Sequence, residues 1–151
     1  MTSIVTHQVG LPLNTAYILY DIEAIGNIQQ PSTCYIWNIA CLNYSTGATF
    51  HAFVDPQQQT YDPPPHPDLF PLTPAFLRSK GAHPFRIEGP KLFRWYCDQR
   101  VGDGPVVLVS HGNFILDKPL LEYEFGRLKS VLPPWLYFYD TLFWFRTTLR
   151  K

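Results

Sequence analysis

The chain has 151 residues, 46% of them hydrophobic, and twelve basic side chains balance twelve acidic ones. That length and apolar content suit one domain with a sizeable core, and no run of about 18 uninterrupted apolar residues marks a membrane span. Zero formal net charge does not advertise a broad electrostatic grip on nucleic acid, so any polyanion must be held at a local site, where a bound metal could supply the positive charge; composition neither proposes such a partner nor excludes one. The first ten residues lack the basic-then-apolar pattern of a secretory signal. Cys34, Cys41 and Cys97 show no CxxC spacing. They argue against a disulfide framework or a zinc site and favour a reducing, intracellular setting, cytoplasmic or nuclear.

Residues 1–15 read as a loose lead-in, with Pro12 breaking any regular element, and residues 16–151 as the folded domain. The apolar, β-branched run at 17–22 predicts a first, buried strand that ends in Asp21 and Glu23, before a Gly26-Asn27 turn signal. A second strand is expected over 34–43, with Tyr35, Trp37, Ile39 and Cys41 on one face. Ser45-Thr46-Gly47 is a turn, and 49–54 completes an antiparallel hairpin. Residues 55–74 are polar and proline-rich, an extended surface loop that could contact a protein partner. A short helix follows at 74–80 and a better one at 90–100, where Pro90 suits the first helical position.

Gly102 to Pro105 is a turn into the continuous apolar strand 106–110, central to the sheet. A helix is expected over 117–132, stopped by Pro133-Pro134. The strand 135–139 then leads into a last short helix capped by Asp140-Thr141. The order β-β-β-α-β-α-β-α predicts an α/β domain, a mixed sheet with an antiparallel hairpin beside strand one and parallel strands beyond it, covered by helices. In such sheets ligands sit at the carboxyl ends of strands. Both Asp21/Glu23 and the segment 111–117 lie at such ends.

Residues i and i+2 of a strand share a face. Asp21 and Glu23 therefore project together and repel each other unless a cation, a shared proton or solvent relieves the charge. A divalent metal held by oxygen ligands uses both; a solvated strand end is the alternative. Asp117 taken alone is a helix cap.

Three motifs then fall in order. Tyr20-Asp21-Ile22-Glu23-Ala24-Ile25-Gly26 is an apolar strand ending in Asp-x-Glu. His111-Gly112-Asn113-Phe114-Ile115-Leu116-Asp117 places an Asn four residues before an Asp that opens a helix, and Asp140-Thr141-Leu142 follows, with Arg146 beyond it. Over about residues 16–147 this resembles the DEDD-type 3′–5′ exonucleases, which have an RNase H-like fold. The resemblance implies hydrolysis at the 3′ ends of single-stranded DNA or RNA, by two divalent ions, Mg²⁺ or Mn²⁺, roughly 3.5–4 Å apart. It implies Asp21, Glu23 and Asp117 as metal ligands and catalytic residues. Asn113 would orient the site or touch the terminal nucleotide, and backbone groups around Ala24 and Ile25 would approach the last sugar. The family's usual Thr is Ala24 here, so one hydroxyl contact is missing.

The family also has a last motif, His-x4-Asp or Tyr-x3-Asp, and the ten residues after Thr141 contain no Asp, Glu or His. The resemblance therefore implies either that this motif lies beyond Lys151 or that the chain is a non-catalytic relative, an interaction module on a nuclease fold. The first is the expectation, because an inactive copy has little reason to keep all three acids. Asp140 reads as a cap, His111 as a possible hydrogen-bonding neighbour of the site, and His66 as solvated. Trp37, Trp135, Tyr137, Phe138, Tyr139, Phe143, Trp144 and Phe145 read as core.

Overall fold

The computed structural model describes residues 10–27, 29–58 and 72–148. Its strands are β1 (Ala16–Ile25), β2 (Tyr35–Asn43), β3 (Thr49–Phe53), β4 (Val106–Ser110) and β5 (Leu136–Asp140). The helices are α1 (Pro74–Ser79), α2 (Phe85–Gln99), α3 (Asp117–Arg127) and α4 (Thr141–Thr148), and a 3₁₀ turn spans Pro31–Thr33. The sheet order is β3-β2-β1-β4-β5. The β1–β2 and β2–β3 pairs are antiparallel, and the β1–β4 and β4–β5 pairs are parallel. This is the mixed, helix-covered sheet that the element order predicts.

Strict alternation in β1 builds the main core. Ala16, Ile18, Tyr20 and Ile22 are buried with Phe85, Leu92 and Tyr96 of α2 and Leu120, Leu121 and Phe125 of α3. The opposite face carries Tyr17, Leu19, Asp21 and Glu23, all exposed. At its upper end Ile25 joins a smaller cluster with Leu72 and Leu77, against which Trp37 and Phe53 pack.

Several expected boundaries move, each for a physical reason. β1 does not end at the acid pair but runs on to Ile25, with a bulge against β2 between Glu23 and Ala24. That bulge breaks the single face expected for β2: Ile36, Ile39 and Cys41 enter the main core, whereas Tyr35 and Trp37 turn to the smaller cluster. The chain leaves β1 through Gly26, at φ 103°, where a Cβ would stand 2.1 Å from the Thr33 carbonyl oxygen. α2 begins at Phe85, not at Pro90, which sits inside the helix. The hydrogen bond that Pro90 cannot donate would have gone to the carbonyl of Arg86, an exposed residue, where water can replace it.

α3 stops at Arg127, five residues short of expectation. Lys129 adopts φ 55°, and the Ser130 and Lys129 amides donate to the Phe125 and Gly126 carbonyls, a Schellman termination. Lys129→Gly should stabilise the fold by about 1 kcal/mol, since glycine takes the left-handed conformation without a Cβ clash; urea denaturation reads this directly. Arg127 ties the helix end to the 3₁₀ turn, donating to the Ser32 carbonyl and to Glu124.

Of the aromatic residues expected in the core, Phe138 is fully buried, but Phe143, Trp144 and Phe145 are 51%, 36% and 46% exposed. They lie on α4, which follows the edge strand β5, and an edge offers less surface to cover them. Residues 59–71, and with them His66 and most of the proline-rich loop, lie outside the described residues, as does most of the lead-in. Among the described residues no helix is long and apolar enough to cross a membrane.

Candidate active site

The site follows from a mismatch in strand length. β1 pairs with β4 only as far as Leu19 opposite Val109, yet continues to Ile25. Beyond that point the β4-facing edge of β1 has no strand partner, and a buried amide left there would be costly. Asp117, the first residue of α3, meets it: the carboxylate accepts a hydrogen bond from the Ile22 amide. Asp117, 96 positions from Asp21 in sequence (117 − 21), thus lies close enough for the charge of Asp21 to be felt at its carboxyl.

Asp117 is 3% exposed. Burial pushes its carboxyl up to about 6, and the neighbouring charges of Asp21 and Asp140 add to the rise. The Ser110 hydroxyl donates to its Oδ2 at 2.5 Å, which opposes the rise. Glu23 is also raised, first by desolvation and then by Asp21. Two of the three acids are therefore held above their ordinary range with Asp21 as a shared neighbour. Among the described residues, no group of three or more His, Cys, Asp or Glu side chains stands ready to hold a metal. The arrangement is an exposed pair on β1 with a buried third acid at its shoulder.

Asn113 has a structural position. It is fully buried; its Oδ1 accepts from the Tyr20 hydroxyl, and its Nδ2 donates to the Leu108 and Tyr139 carbonyls at 3.1 and 2.9 Å. Of the two roles expected for it, orientation fits this geometry, whereas contact with a nucleotide does not, because no atom of it reaches the surface. Asn113→Ala should cost roughly 2–4 kcal/mol by chemical denaturation, since it strands two buried partners and a third that is partly buried; a loss below about 1 kcal/mol would contradict this reading. Ala24 packs against the main core and the Ile25 side chain is buried in the smaller cluster, so a substrate could meet only their backbone.

Asp140 organises the loop between β4 and α3. Its carboxylate accepts from the Gly112 and Phe114 amides and, at the start of α4, from those of Leu142 and Phe143. This is the capping role read from the sequence, extended to a second loop. His111 lies 3.0 Å from the Thr141 hydroxyl. Sequence reasoning did not single out Tyr20 or Ser110. The available signal was their position: one precedes the Asp-x-Glu pair, and the other is a lone hydroxyl ending an otherwise apolar strand.

The architecture is a mixed-sheet α/β fold of the RNase H-like type. Among solved structures it is similar to exonuclease I of E. coli. The zinc-bound complex of that enzyme with single-stranded DNA aligns at a TM-score of 0.68 and 14% identity, over 89% of this chain and 30% of that one. The complex with a dT13 oligonucleotide gives 0.68 and 15% over the same shares. A product-bound structure of an exonuclease I gives 0.69 and 15%, over 90% of this chain and 32% of the other. The chain thus spans about a third of the length of the structures it resembles. No family model matches the sequence, and no curated protein matches it.

Proposed function

We propose that this chain carries the metal-binding core of a 3′–5′ exonuclease acting on single-stranded nucleic-acid ends, with Asp21, Glu23 and Asp117 as the cation's ligands. The observation that supports the reading is that Asp117, buried at the start of α3 against the Ile22 backbone of β1, feels the charge of Asp21, which shares an exposed strand face with Glu23. Three carboxylates are hard oxygen donors, the type that Mg²⁺ and Mn²⁺ prefer over nitrogen or sulfur. A divalent cation bound there would relieve their mutual repulsion, activate water and stabilise the departing 3′ oxygen. The protein's own part is to hold the acids on a rigid strand and helix start. Ala24 and Ile25 would offer backbone groups to the terminal sugar. The similarity to exonuclease I crystallised with single-stranded DNA supports the fold side of the proposal.

The test is a 5′-labelled oligonucleotide, DNA and RNA in parallel, incubated with Mg²⁺ or Mn²⁺ and either this chain or the longest natural form that contains it. A ladder of shortened products that disappears with chelator is expected. An intact substrate with the longest form would sink the proposal. A second reading is a nuclease-fold interaction module without turnover, favoured by the lack of a ready three-ligand cluster among the described residues. Calorimetric titration with Mn²⁺ separates the two, because the module should show no heat that depends on Asp21 or Glu23.

A further inference from the structure

Ser110 ends β4, a strand otherwise composed of valine and leucine, and the residue is only 9% exposed. A hydroxyl in such a place is unfavourable unless its hydrogen-bonding capacity is used. Here it is used in one direction: an ionised carboxylate only accepts, so the Ser110 proton points at Asp117 Oδ2. The hydroxyl also lies against the Tyr20 phenol, whose own proton goes to Asn113. Asp117 is therefore gripped by donors from two neighbouring strands, the Ile22 amide of β1 and the Ser110 hydroxyl of β4. Two donors on different elements fix the plane of a carboxylate, whereas one donor leaves it free to turn about that single bond.

We infer that Ser110 is a positioning residue, its hydroxyl holding the Asp117 carboxylate in the seam between β1 and β4 in the orientation a divalent cation at Asp21 would need. This rests on the proposed metal-binding reading, and the experiment keeps the two apart. The Mn²⁺ affinity of the full chain is measured by calorimetry for the parent, Ser110→Ala and Ser110→Thr. Hydrogen exchange at the Ile22 amide is followed in the metal-free proteins. Losing a hydrogen-bond partner of a metal ligand typically weakens binding about 10–100-fold. That fall is expected for Ser110→Ala, with most of the affinity restored by Ser110→Thr, which keeps the hydroxyl on a strand-compatible side chain. The Ile22 amide should exchange faster in the alanine variant alone.

If the parent binds Mn²⁺ through Asp21 and Ser110→Ala binds it equally well, the inference is overturned and the metal site stands. A loss in Ser110→Ala that threonine does not restore assigns the effect to packing and also overturns it. If the parent shows no Asp21-dependent binding, the metal-site reading falls. The Ile22 amide then decides alone: unchanged exchange removes the positioning role, and faster exchange retains it as a carboxylate clamp.

Discussion

Under the proposed function, Asp21→Asn should abolish cation-dependent shortening of a single strand, with turnover falling by roughly 10³-fold or more. Asp21 is the acid whose charge is felt by both others: it raises Glu23 from one side and Asp117 from the other. A cation placed to neutralise all three must sit closest to their common neighbour, so its loss removes more attraction than the loss of either flank. Removing one carboxylate from such a centre forfeits several kcal/mol of transition-state charge stabilisation. The same change relieves repulsion in the metal-free protein, so its melting temperature should hold or rise. Loss of activity with undiminished stability is the signature to look for in a gel assay paired with a thermal melt. A variant that keeps the parent rate would remove Asp21 from the chemistry.

Asp117→Asn should stabilise the metal-free fold at neutral pH by roughly 1–2 kcal/mol, and the gain should shrink on acidification. The Asp117 carboxyl titrates near 6 in the fold against an ordinary 3.8. Between those values the folded state holds a proton that the unfolded chain has released. The favourable contribution is complete below about pH 3.8 and is lost as pH rises through 6, so above that the ionised group opposes folding. A shift of this size corresponds to about 3 kcal/mol at most, and the amide must reverse one of its two hydrogen bonds, which reduces the gain. Urea denaturation of parent and variant from pH 4 to pH 8 gives the curve; parallel stabilities across that range would contradict it. With saturating Mn²⁺ the order should invert, since only the parent gains stability from the bound ion.

The layout of the sheet was legible because its signals are local. Alternation and β-branching marked β1, the Ser45-Thr46-Gly47 turn closed the hairpin, and the unbroken run of β4 marked a buried parallel strand. The acid pair was legible for the same reason, since two residues two apart on a strand share a face whatever else happens. The junction of Asp117 with β1 was legible only in outline, from the shared strand ends and the family resemblance. It depends on β1 running six residues past its last pair with β4, from Tyr20 to Ile25, and strand length relative to a distant neighbour is not written in either segment. The bulge after Glu23 hid the true faces of β2, and Pro90 disguised the start of α2 because the exposed site of the missing bond is not visible in sequence. The Tyr20–Asn113 contact joins residues 93 apart, and no periodicity reports on it.

Gly26 carries a different lesson about the stretch that follows the acids. The Thr33 carbonyl occupies the space that any side chain there would need, so the interval from Asp21 to Gly26 is measured out by the corner between two strands, not by phosphate chemistry. A version of this chain stripped of its carboxylates would still require glycine at that place to turn into β2. The glycine is a hallmark of the scaffold, and only the oxygens three and five places before it speak to what the scaffold does.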